Sequence, residues 1–320
     1  MKSLLLKFVI FVTPILVIAY PLDVFFSKNL ETTRQGDYSV WSDIYDGKID
    51  AEIAIYGTSQ SVHHINPQIL SDILNKKAYN FGIAGLNFNI QHFRHQEYLK
   101  RNKKPQIIIH SIDNITLSKQ PYLAPERDRH PFIPFGLTNK SQFLPYMMTH
   151  KDIYKYTHPY QGFSWCDYFL PLIRYIGNSS EDIVFPIVNQ DRINGYSGLK
   201  NEWNVNLEKR MAKTPPFEAS IDPDVVKLYE GFLNECRNSN IKVILVRTPE
   251  YTDLQNFVLN RNEVISIFKD ISERHNLTFL DFSSDPICFD KKYFRDPGHL
   301  NTKGAELLSE KLAHELKKIL

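Results

Sequence analysis

Residues 52–64 read Glu-Ile-Ala-Ile-Tyr-Gly-Thr-Ser-Gln-Ser-Val-His-His and carry the clearest structural signal in the chain. The first five residues have the length and apolar character of a buried β-strand. Gly57 then allows a tight bend, and a helix is expected to follow. A serine on such a strand-to-helix turn, here Ser59, projects from the carboxyl edge of a sheet. The stretch therefore predicts a strand–turn–helix unit that presents a hydroxyl group.

Short apolar runs and amphipathic stretches alternate along the rest of the chain. Further strands are predicted at residues 78–81, 106–110, 242–246 and 277–281, and helices at 67–74, 89–101, 223–238, 262–275 and 303–320. Strands that alternate with helices favour a parallel sheet covered on both faces. We therefore expect a three-layer, flavodoxin-like α/β fold with a parallel five-stranded sheet. In such folds the active crevice lies beyond the carboxyl ends of the strands.

Composition excludes several functional classes. A chain of 320 residues with 42% hydrophobic and 23% charged residues is typical of a globular protein with a sizeable core. The formal net charge of +2 and the scattered Lys and Arg residues predict no nucleic-acid partner. Cys166, Cys236 and Cys288 form no CxxC or Cys/His cluster, so neither a zinc site nor a disulfide framework is expected. We expect no metal and no other cofactor.

An apolar run near the N-terminus predicts a membrane segment. The run extends from Phe8 to Leu22 and follows Lys2 and Lys7, an arrangement that leaves the N-terminus in the cytoplasm. We predict a retained signal anchor, a transmembrane helix within residues 1–30. A cleaved signal peptide and a buried N-terminal helix are the alternatives. With an anchor, the protein spans the cytoplasmic membrane once and its catalytic domain lies on the extracytoplasmic side.

A long interruption separates the third and fourth predicted strands. Residues 118–220 are rich in Pro, Tyr, Phe and Trp, and they are too numerous for a simple loop. We expect an inserted cap subdomain there, between the two parts of the sheet domain at residues 31–117 and 221–320. Two interpretations stay open: the aromatic rings form a small core of their own, or they stack against a sugar or another large substrate.

Groups with chemical potential follow several of the predicted strands. Gly85 follows the second strand, and a glycine lets a bare backbone N–H approach an oxyanion. Asp296 and His299 lie three residues apart in a Pro/Gly turn before the last helix. A carboxylate in that turn can orient the imidazole, which then acts as the base toward Ser59.

In this order along the chain, the motifs resemble those of the SGNH (GDSL-like) hydrolase superfamily. Gly57-Thr58-Ser59 is similar to its GDS block, with Thr in place of the usual Asp, and Asp296-Pro-Gly-His299 matches its D-x-x-H block. The resemblance covers about residues 50–117 and 223–320. It implies a catalytic triad of the serine, the histidine and the aspartate in these two blocks.

The resemblance also implies an oxyanion hole, formed by the amides of Ser59 and Gly85 with Asn114 as a third donor. The block that should supply the asparagine departs from the family pattern, because Ser111-Ile-Asp-Asn114 stands where the family has GxND. Alignment by strand end puts Asp113 at the asparagine position, where a carboxylate repels a developing oxyanion unless it is protonated. Three interpretations stay open: Asn114 turns inward, the site uses two backbone donors, or both residues merely begin the insertion.

The chain is similar in kind to membrane-anchored bacterial cell-envelope proteins that transfer acyl groups, namely polysaccharide O-acyltransferases and D-alanyl transfer proteins. The resemblance implies serine-dependent acyl transfer, with acetyl as the expected group, to or from a cell-surface polysaccharide. The implied partners are a carbohydrate polymer or acyl ester and a membrane-bound acyl donor protein. A carbohydrate esterase of the same fold and a non-catalytic scaffold of a polymer-modifying complex are the alternatives.

Two further residues are candidates for substrate binding. His63 lies one turn past Ser59 and can border the pocket, with a solvated helix-start histidine as the alternative. Arg247 ends the fourth strand, where it is expected to face the crevice and hold an anionic group, or to form a surface salt bridge. Ser61 is a rival nucleophile that should point elsewhere if Ser59 is the reactive serine.

Overall fold

The computed structural model describes residues 3–4, 6–14, 34, 36–118, 192–205, 209 and 215–320. The chain divides into two compact units. One comprises residues 1–46 and 120–191, and the other comprises residues 47–119 and 192–320. In the first unit, helix α1 (Asp37–Asp46) is described, and Arg34 forms ion pairs of 3.0 Å with Asp43 and Asp46.

The second unit contains a parallel five-stranded sheet, which confirms the predicted α/β class. The strands are β1 (Ile53–Gly57), β2 (Ala78–Asn80), β3 (Ile107–Ser111), β4 (Lys242–Arg247) and β5 (Thr278–Asp281). Their order in the sheet is β2-β1-β3-β4-β5, which is the flavodoxin-like order. The register pairs Gly57 with Ser111 and Ser111 with Val246, so β1, β3 and β4 end at the same level. Residues that follow these strands are therefore brought to one edge of the sheet.

Helices connect the strands in the second unit. They are α2 (Ser59–His64), α3 (Pro67–Leu74), α4 (Phe88–Arg101), α5 (Pro223–Asn238), α6 (Thr252–Phe257), α7 (Arg261–His275) and α8 (Thr302–Ile319). The predicted bounds of α3 and α5 are confirmed because both helices begin at a proline that follows an N-cap. The side chain of Asn66 accepts a hydrogen bond from Gln68 N at 3.0 Å, and that of Asp222 accepts one from Asp224 N at 2.9 Å. The short helix α6 was not expected from the sequence.

The two faces of the sheet are covered by different helices. Ile53 and Ile55 point to an aliphatic core that also includes Leu312 and Leu316 of α8, and α8 packs against α3. The alternate strand residue Tyr56 points to an aromatic layer with α4, where its hydroxyl lies 3.0 Å from His95 Nδ1. Each buried side chain of this size contributes about 1.5–3 kcal/mol relative to exposure. The sheet is therefore a rigid base for the loops at its carboxyl edge.

A small hairpin carries the D-x-x-H motif. β6 (Phe294–Asp296) pairs antiparallel with β7 (His299–Leu300), and Pro297 and Gly298 form the tip. Two backbone hydrogen bonds hold this hairpin from outside: Tyr251 N donates to Pro297 O at 2.9 Å, and Asn204 N donates to Arg295 O at 2.6 Å. The sequence predicted a turn here but not the pairing, since β6 and β7 are too short to show a period.

The predicted transmembrane helix is not found in the described part of the chain. Residues 3–4 and 6–14 are helical, and within the described ranges none of the helices is both long and apolar enough to cross a bilayer. Residues 15–30 of the predicted anchor lie outside the described residues.

Most of the predicted cap, residues 119–191, lies outside the described residues as well. The described part at residues 192–205 belongs to the unit that contains the sheet. Asn194 O accepts a hydrogen bond from Asn80 N at 2.8 Å, and Leu199 O accepts one from Thr302 N at 2.9 Å. The predicted insertion therefore includes a segment that is bonded directly to the sheet unit.

Two glycines provide a test of how tightly β1 and its turn are packed. Gly57 has φ of 143°, and a Cβ added there would lie 2.5 Å from Ser111 O, whereas Gly85 has φ of 73° and open space around it. We expect Gly57→Ala to lower the free energy of unfolding by about 2–4 kcal/mol, because strain and overpacking add. Gly85→Ala should cost about 1 kcal/mol, from backbone strain alone. Urea unfolding of both variants measures the difference, and equal losses would contradict it.

Candidate active site

Ser59 is the first residue of α2 and directly follows the turn after β1. Thr58 before it has extended backbone angles, φ of −90° and ψ of −152°, so the chain turns sharply from strand to helix. The Ser59 hydroxyl is partly buried, and its Oγ lies 2.8 Å from Nε2 of His299. The structure thus brings together the two groups that the sequence placed 240 residues apart.

His299 is oriented by Asp296 across the tip of the hairpin. Its Nδ1 lies 2.9 Å from Asp296 Oδ1, and the same oxygen accepts a hydrogen bond from Gly298 N at 3.0 Å. Although burial alone would raise it, the pKa of Asp296 is lowered by the hydrogen bond from His299. The ionised Asp296 accepts a hydrogen bond from the Nδ1–H of His299. The proton therefore stays on Nδ1, and Nε2 is free to accept the proton of the Ser59 hydroxyl. The arrangement can activate a serine nucleophile.

The two predicted backbone donors of the oxyanion hole have different surroundings. Ser59 N belongs to the first residue of a helix, and such an N–H has no intrahelical acceptor. Gly85 is exposed, and its positive φ of 73° is a conformation that favours glycine. Both amides are therefore in positions where a backbone donor can serve a ligand.

Asp113, which the sequence aligned with the expected oxyanion asparagine, is buried and bonded to neighbouring residues. It is 5% exposed, and its Oδ1 accepts hydrogen bonds from Ile115 N at 2.9 Å and from Thr116 N at 3.0 Å. Its Oδ2 accepts a short hydrogen bond from the Thr58 hydroxyl. The carboxylate is therefore turned to the residue before Ser59, and the hydroxyl group of Thr58 is its donor. An aspartate at position 58 would place a second buried carboxylate against it.

Arg247 was expected to bind an anionic group or to form a surface salt bridge, but it forms a buried ion pair. Its side chain is 1% exposed, and Nη2 donates to Glu250 Oε2 at 3.0 Å. A buried guanidinium paired with a carboxylate is not available to a ligand from solvent. The same Nη2 lies 3.4 Å from Oδ1 of Asn114, so Arg247 contacts the predicted third oxyanion donor instead.

His63 borders the candidate catalytic histidine. Its ring lies edge-on to that of His299, with centroids 5.7 Å apart, and its Nδ1 lies 2.6 Å from Ser197 O. Burial lowers the pKa of His63 to about 4, so its imidazole is neutral at pH 7. The carbonyl of Ser197 fixes the proton on Nδ1, and a substrate role for His63 stays a proposal.

Ser61 points away from the candidate site, as expected for the rival serine. It is fully buried, and its Oγ donates to Thr58 O at 2.8 Å. Asn80, which the sequence did not single out, holds the end of α2: its Nδ2 donates to Ser61 O at 2.6 Å and to Ile65 O at 3.0 Å. Its signal in the sequence was a polar residue at the end of a buried strand.

Metal-ligating groups do not cluster in the part of the chain that the structure describes: no three His, Cys, Asp or Glu residues there are placed to share a metal ion.

The fold and the site together define a class, namely α/β proteins with a Ser-His-Asp arrangement at the carboxyl edge of a parallel sheet. No family model matches the sequence, and no curated protein matches it.

Solved structures do show similarity. An acetyl xylan esterase, AlAXEase, is 13% identical with a TM-score of 0.41, over 82% of this chain and 99% of that chain. A lipolytic protein of the G-D-S-L family from Desulfitobacterium hafniense is 12% identical with a TM-score of 0.39, over 83% of this chain and 99% of that chain. A structure from Bacteroides fragilis, described as an acylhydrolase, is 12% identical with a TM-score of 0.38, over 84% and 89% of the two chains. At this level the similarity does not identify a substrate.

The Thr58–Asp113 pair has a testable pH signature. Burial raises the pKa of Asp113 above its ordinary value, while the hydrogen bond from Thr58 lowers it. A raised pKa in the folded state means that stability is greatest below the unfolded value and is lost as pH rises through the folded pKa. Thr58→Val removes the donor, so we expect a loss of about 1–3 kcal/mol at pH 7 and a smaller loss near pH 3. Thr58→Ser keeps the hydroxyl and is the control. Urea unfolding across this pH range measures both variants, and a loss that does not depend on pH would contradict the pairing.

Proposed function

We propose that this protein transfers acyl groups from esters through a covalent intermediate on Ser59. The observation that carries the proposal is the pair of distances, 2.8 Å from Ser59 Oγ to His299 Nε2 and 2.9 Å from His299 Nδ1 to Asp296 Oδ1. Both lie in the range in which a serine, a base and an orienting carboxylate act as a unit. Asp296 is buried at one end of the unit, while Ser59 and His299 are partly exposed and can be reached by an ester from solvent.

The mechanism follows from the geometry. Ser59 Oγ attacks the carbonyl carbon of an ester while its proton moves to His299 Nε2, and the resulting imidazolium is stabilised by Asp296. The negative charge on the carbonyl oxygen is met by the amides of Ser59 and Gly85, with the Asn114 side chain as the third donor. His299 then returns the proton to the leaving alcohol, which leaves the acyl group on Ser59. An acceptor hydroxyl then attacks the acyl carbon while its proton moves to His299 Nε2. The bond from Ser59 Oγ to the acyl carbon breaks, and His299 returns the proton to Oγ, which restores the serine.

The proposed acceptor is a hydroxyl group of a cell-surface polysaccharide, and the proposed acyl group is acetyl. This step rests on the resemblance of the chain to envelope acyltransferases and on the aromatic-rich residues 118–220. The alternative acceptor is water, which makes the protein a carbohydrate esterase. The acceptor is decided by which hydroxyl group the crevice holds in line with the acyl carbon.

The proposed location is the extracytoplasmic face of the cytoplasmic membrane, with the N-terminal residues in contact with lipid. Supporting this, the helical residues 3–4 and 6–14 expose large apolar side chains, among them Leu4 at 74% and Phe11 at 72%. A helix of this kind is costly in water and is stabilised by an apolar phase. A membrane-bound acyl donor protein is the proposed partner.

Esterase assays on the full-length protein test the role of Ser59. With p-nitrophenyl acetate, we expect Ser59→Ala to lower kcat/KM by roughly 10³-fold or more, because the nucleophile is lost. Ser61→Ala is the matched control, since that hydroxyl donates to a backbone carbonyl, and it should change the rate by less than about threefold. Wild-type turnover that survives Ser59→Ala would contradict the proposal. A wild-type protein with no turnover at all would favour the non-catalytic scaffold.

Partition of the acyl group between acceptors separates transfer from hydrolysis. With p-nitrophenyl acetate as donor and N-acetylglucosamine oligomers as acceptor, we expect acetylated oligomer to increase with acceptor concentration at the expense of free acetate. The reason is that both acceptors compete for one acyl-enzyme. Mass spectrometry of the oligomers measures the product. Free acetate as the sole product at all acceptor concentrations, here and with uronate oligomers, would contradict transfer to a sugar and favour the esterase.

A further inference from the structure

A network of buried polar side chains connects α2, the helix that begins at Ser59, with β7, the strand that begins at His299. Its members lie on α2, on the segment that ends β4, and on β7: Gln60, His64, Arg247, Thr248, Glu250 and the backbone of Leu300. Each of the five side chains is at most 7% exposed. The sequence assigned no role to Gln60, Thr248 or Glu250, because the contacts of Gln60 with the other two join segments more than 180 residues apart.

The backbone N–H of Leu300 determines the directions of the hydrogen bonds that His64 forms in this network. Leu300 N can only donate, and it lies 3.0 Å from Nε2 of His64, so Nε2 carries no proton. The neutral ring then has its proton on Nδ1, which lies 2.9 Å from Thr248 Oγ1. His64 is thus held in a single tautomer with one acceptor and one donor in use.

The remaining hydrogen bonds of the network follow in the same donor-to-acceptor order. Thr248 Oγ1 accepts from His64 and donates to Gln60 Oε1 at 3.1 Å. Gln60 Nε2 donates to Glu250 Oε1 at 2.9 Å, and Arg247 donates to the other carboxylate oxygen. No hydrogen bond in this series needs two donors or two acceptors to face each other. Within the described residues, Nε and Nη1 of Arg247 are buried without a hydrogen-bond partner, so the end of the network at Arg247 is only partly satisfied.

Burial keeps His64 neutral. Burial lowers the pKa of His64 well below its ordinary value, and the nearby His299 and His63 rings lower it further. A backbone hydrogen bond with Gly298 acts in the opposite direction and raises the pKa, but burial outweighs it. His64 therefore stays neutral while His299, with its ring centroid 6.2 Å away, takes up and releases a proton.

The network reaches both sides of the candidate active site. At one end, the Leu300 amide is adjacent in sequence to His299, the base for Ser59. At the other end, Arg247 Nη2 contacts Asn114 Oδ1 at 3.4 Å. Gln60 in the middle follows Ser59 directly. We propose that His64 is a positioning residue for His299: it fixes the Leu300 backbone, and with it the imidazole, at hydrogen-bond distance from Ser59.

This inference rests on the proposed function for its kinetic consequence, but its structural part can be measured without turnover. The side chain of Gln can place an oxygen near the position of His64 Nε2, and so accept from Leu300 N. The side chain of Asn reaches the position of Nδ1, and so donates to Thr248 but does not accept from Leu300 N of β7. His64→Gln and His64→Asn are therefore a complementary pair: the first keeps the bond to Leu300 N and the second keeps the bond to Thr248.

Steady-state kinetics of the two full-length variants with p-nitrophenyl acetate test the proposal. We expect His64→Asn to have a kcat about 10- to 100-fold below that of His64→Gln, because a base displaced by a fraction of an ångström loses reactivity. KM should differ between them by less than about threefold, since neither change touches the ester. Amide hydrogen exchange at Leu300 should be slow in wild type and His64→Gln and at least about tenfold faster in His64→Asn.

The outcomes separate this inference from the proposed function. Equal kcat values in the two variants, or equal Leu300 exchange, overturn the positioning role, whatever their thermal stabilities. Absence of Ser59-dependent turnover in wild type contradicts the proposed function, and the exchange measurement then decides the structural part by itself. If His64→Asn does not fold, Thr248→Val is compared with Thr248→Ser, which keeps the acceptor for His64 Nδ1. We expect the valine variant to have the lower kcat, and equal values would overturn the proposal.

Discussion

The hydrogen bond between Ser59 Oγ and His299 Nε2 joins two segments that are far apart in the chain and that are each fixed by different parts of the fold. Ser59 is placed by the sheet, because β1 ends at the level of its neighbours and Gly57 permits the turn into α2. His299 is placed by a hairpin with only two residue pairs, which is too small to hold its own position. The contacts that hold this hairpin therefore matter as much for the chemistry as the sheet does.

Those contacts are mostly polar and come from several segments. Backbone donors at Asn204 and Tyr251 hold β6 and the tip, and His64 holds β7 through the Leu300 amide. A buried polar contact of this type is worth about 0.5–1.5 kcal/mol when it is made and costs more when one partner is lost. The network thus contributes a defined geometry more than it contributes stability.

The contact between Thr58 and Asp113 joins the nucleophile turn to the segment that follows β3. Asp113 brings a carboxylate close to that turn, and Thr58 provides the hydroxyl donor for it. With two acidic residues the pair would repel in a buried setting. Asn114, next in sequence, contacts Arg247 instead.

The sequence predicted the class of fold because apolar runs of five residues alternate with helical stretches, a pattern that a parallel sheet requires. It also predicted Ser59, Asp296 and His299, since each follows a local signal: a strand-to-helix turn or a D-x-x-H turn. It did not predict α6, the hairpin or the network around His64, because these depend on contacts between distant segments rather than on local periodicity. The sequence also placed Arg247 in the crevice. It did not show the pairing with Glu250, because Glu250 lies past the end of β4, where the orientation of a side chain depends on tertiary packing.

The most direct measurement of the central claim is the site at which an organophosphonate ester reacts with the full-length protein. The account predicts a single covalent adduct on Ser59 Oγ, found by mass spectrometry of the digested protein and lost when His299 is replaced by alanine. A protein that forms no adduct, or one that reacts at another residue while Ser59 stays unmodified, would contradict it.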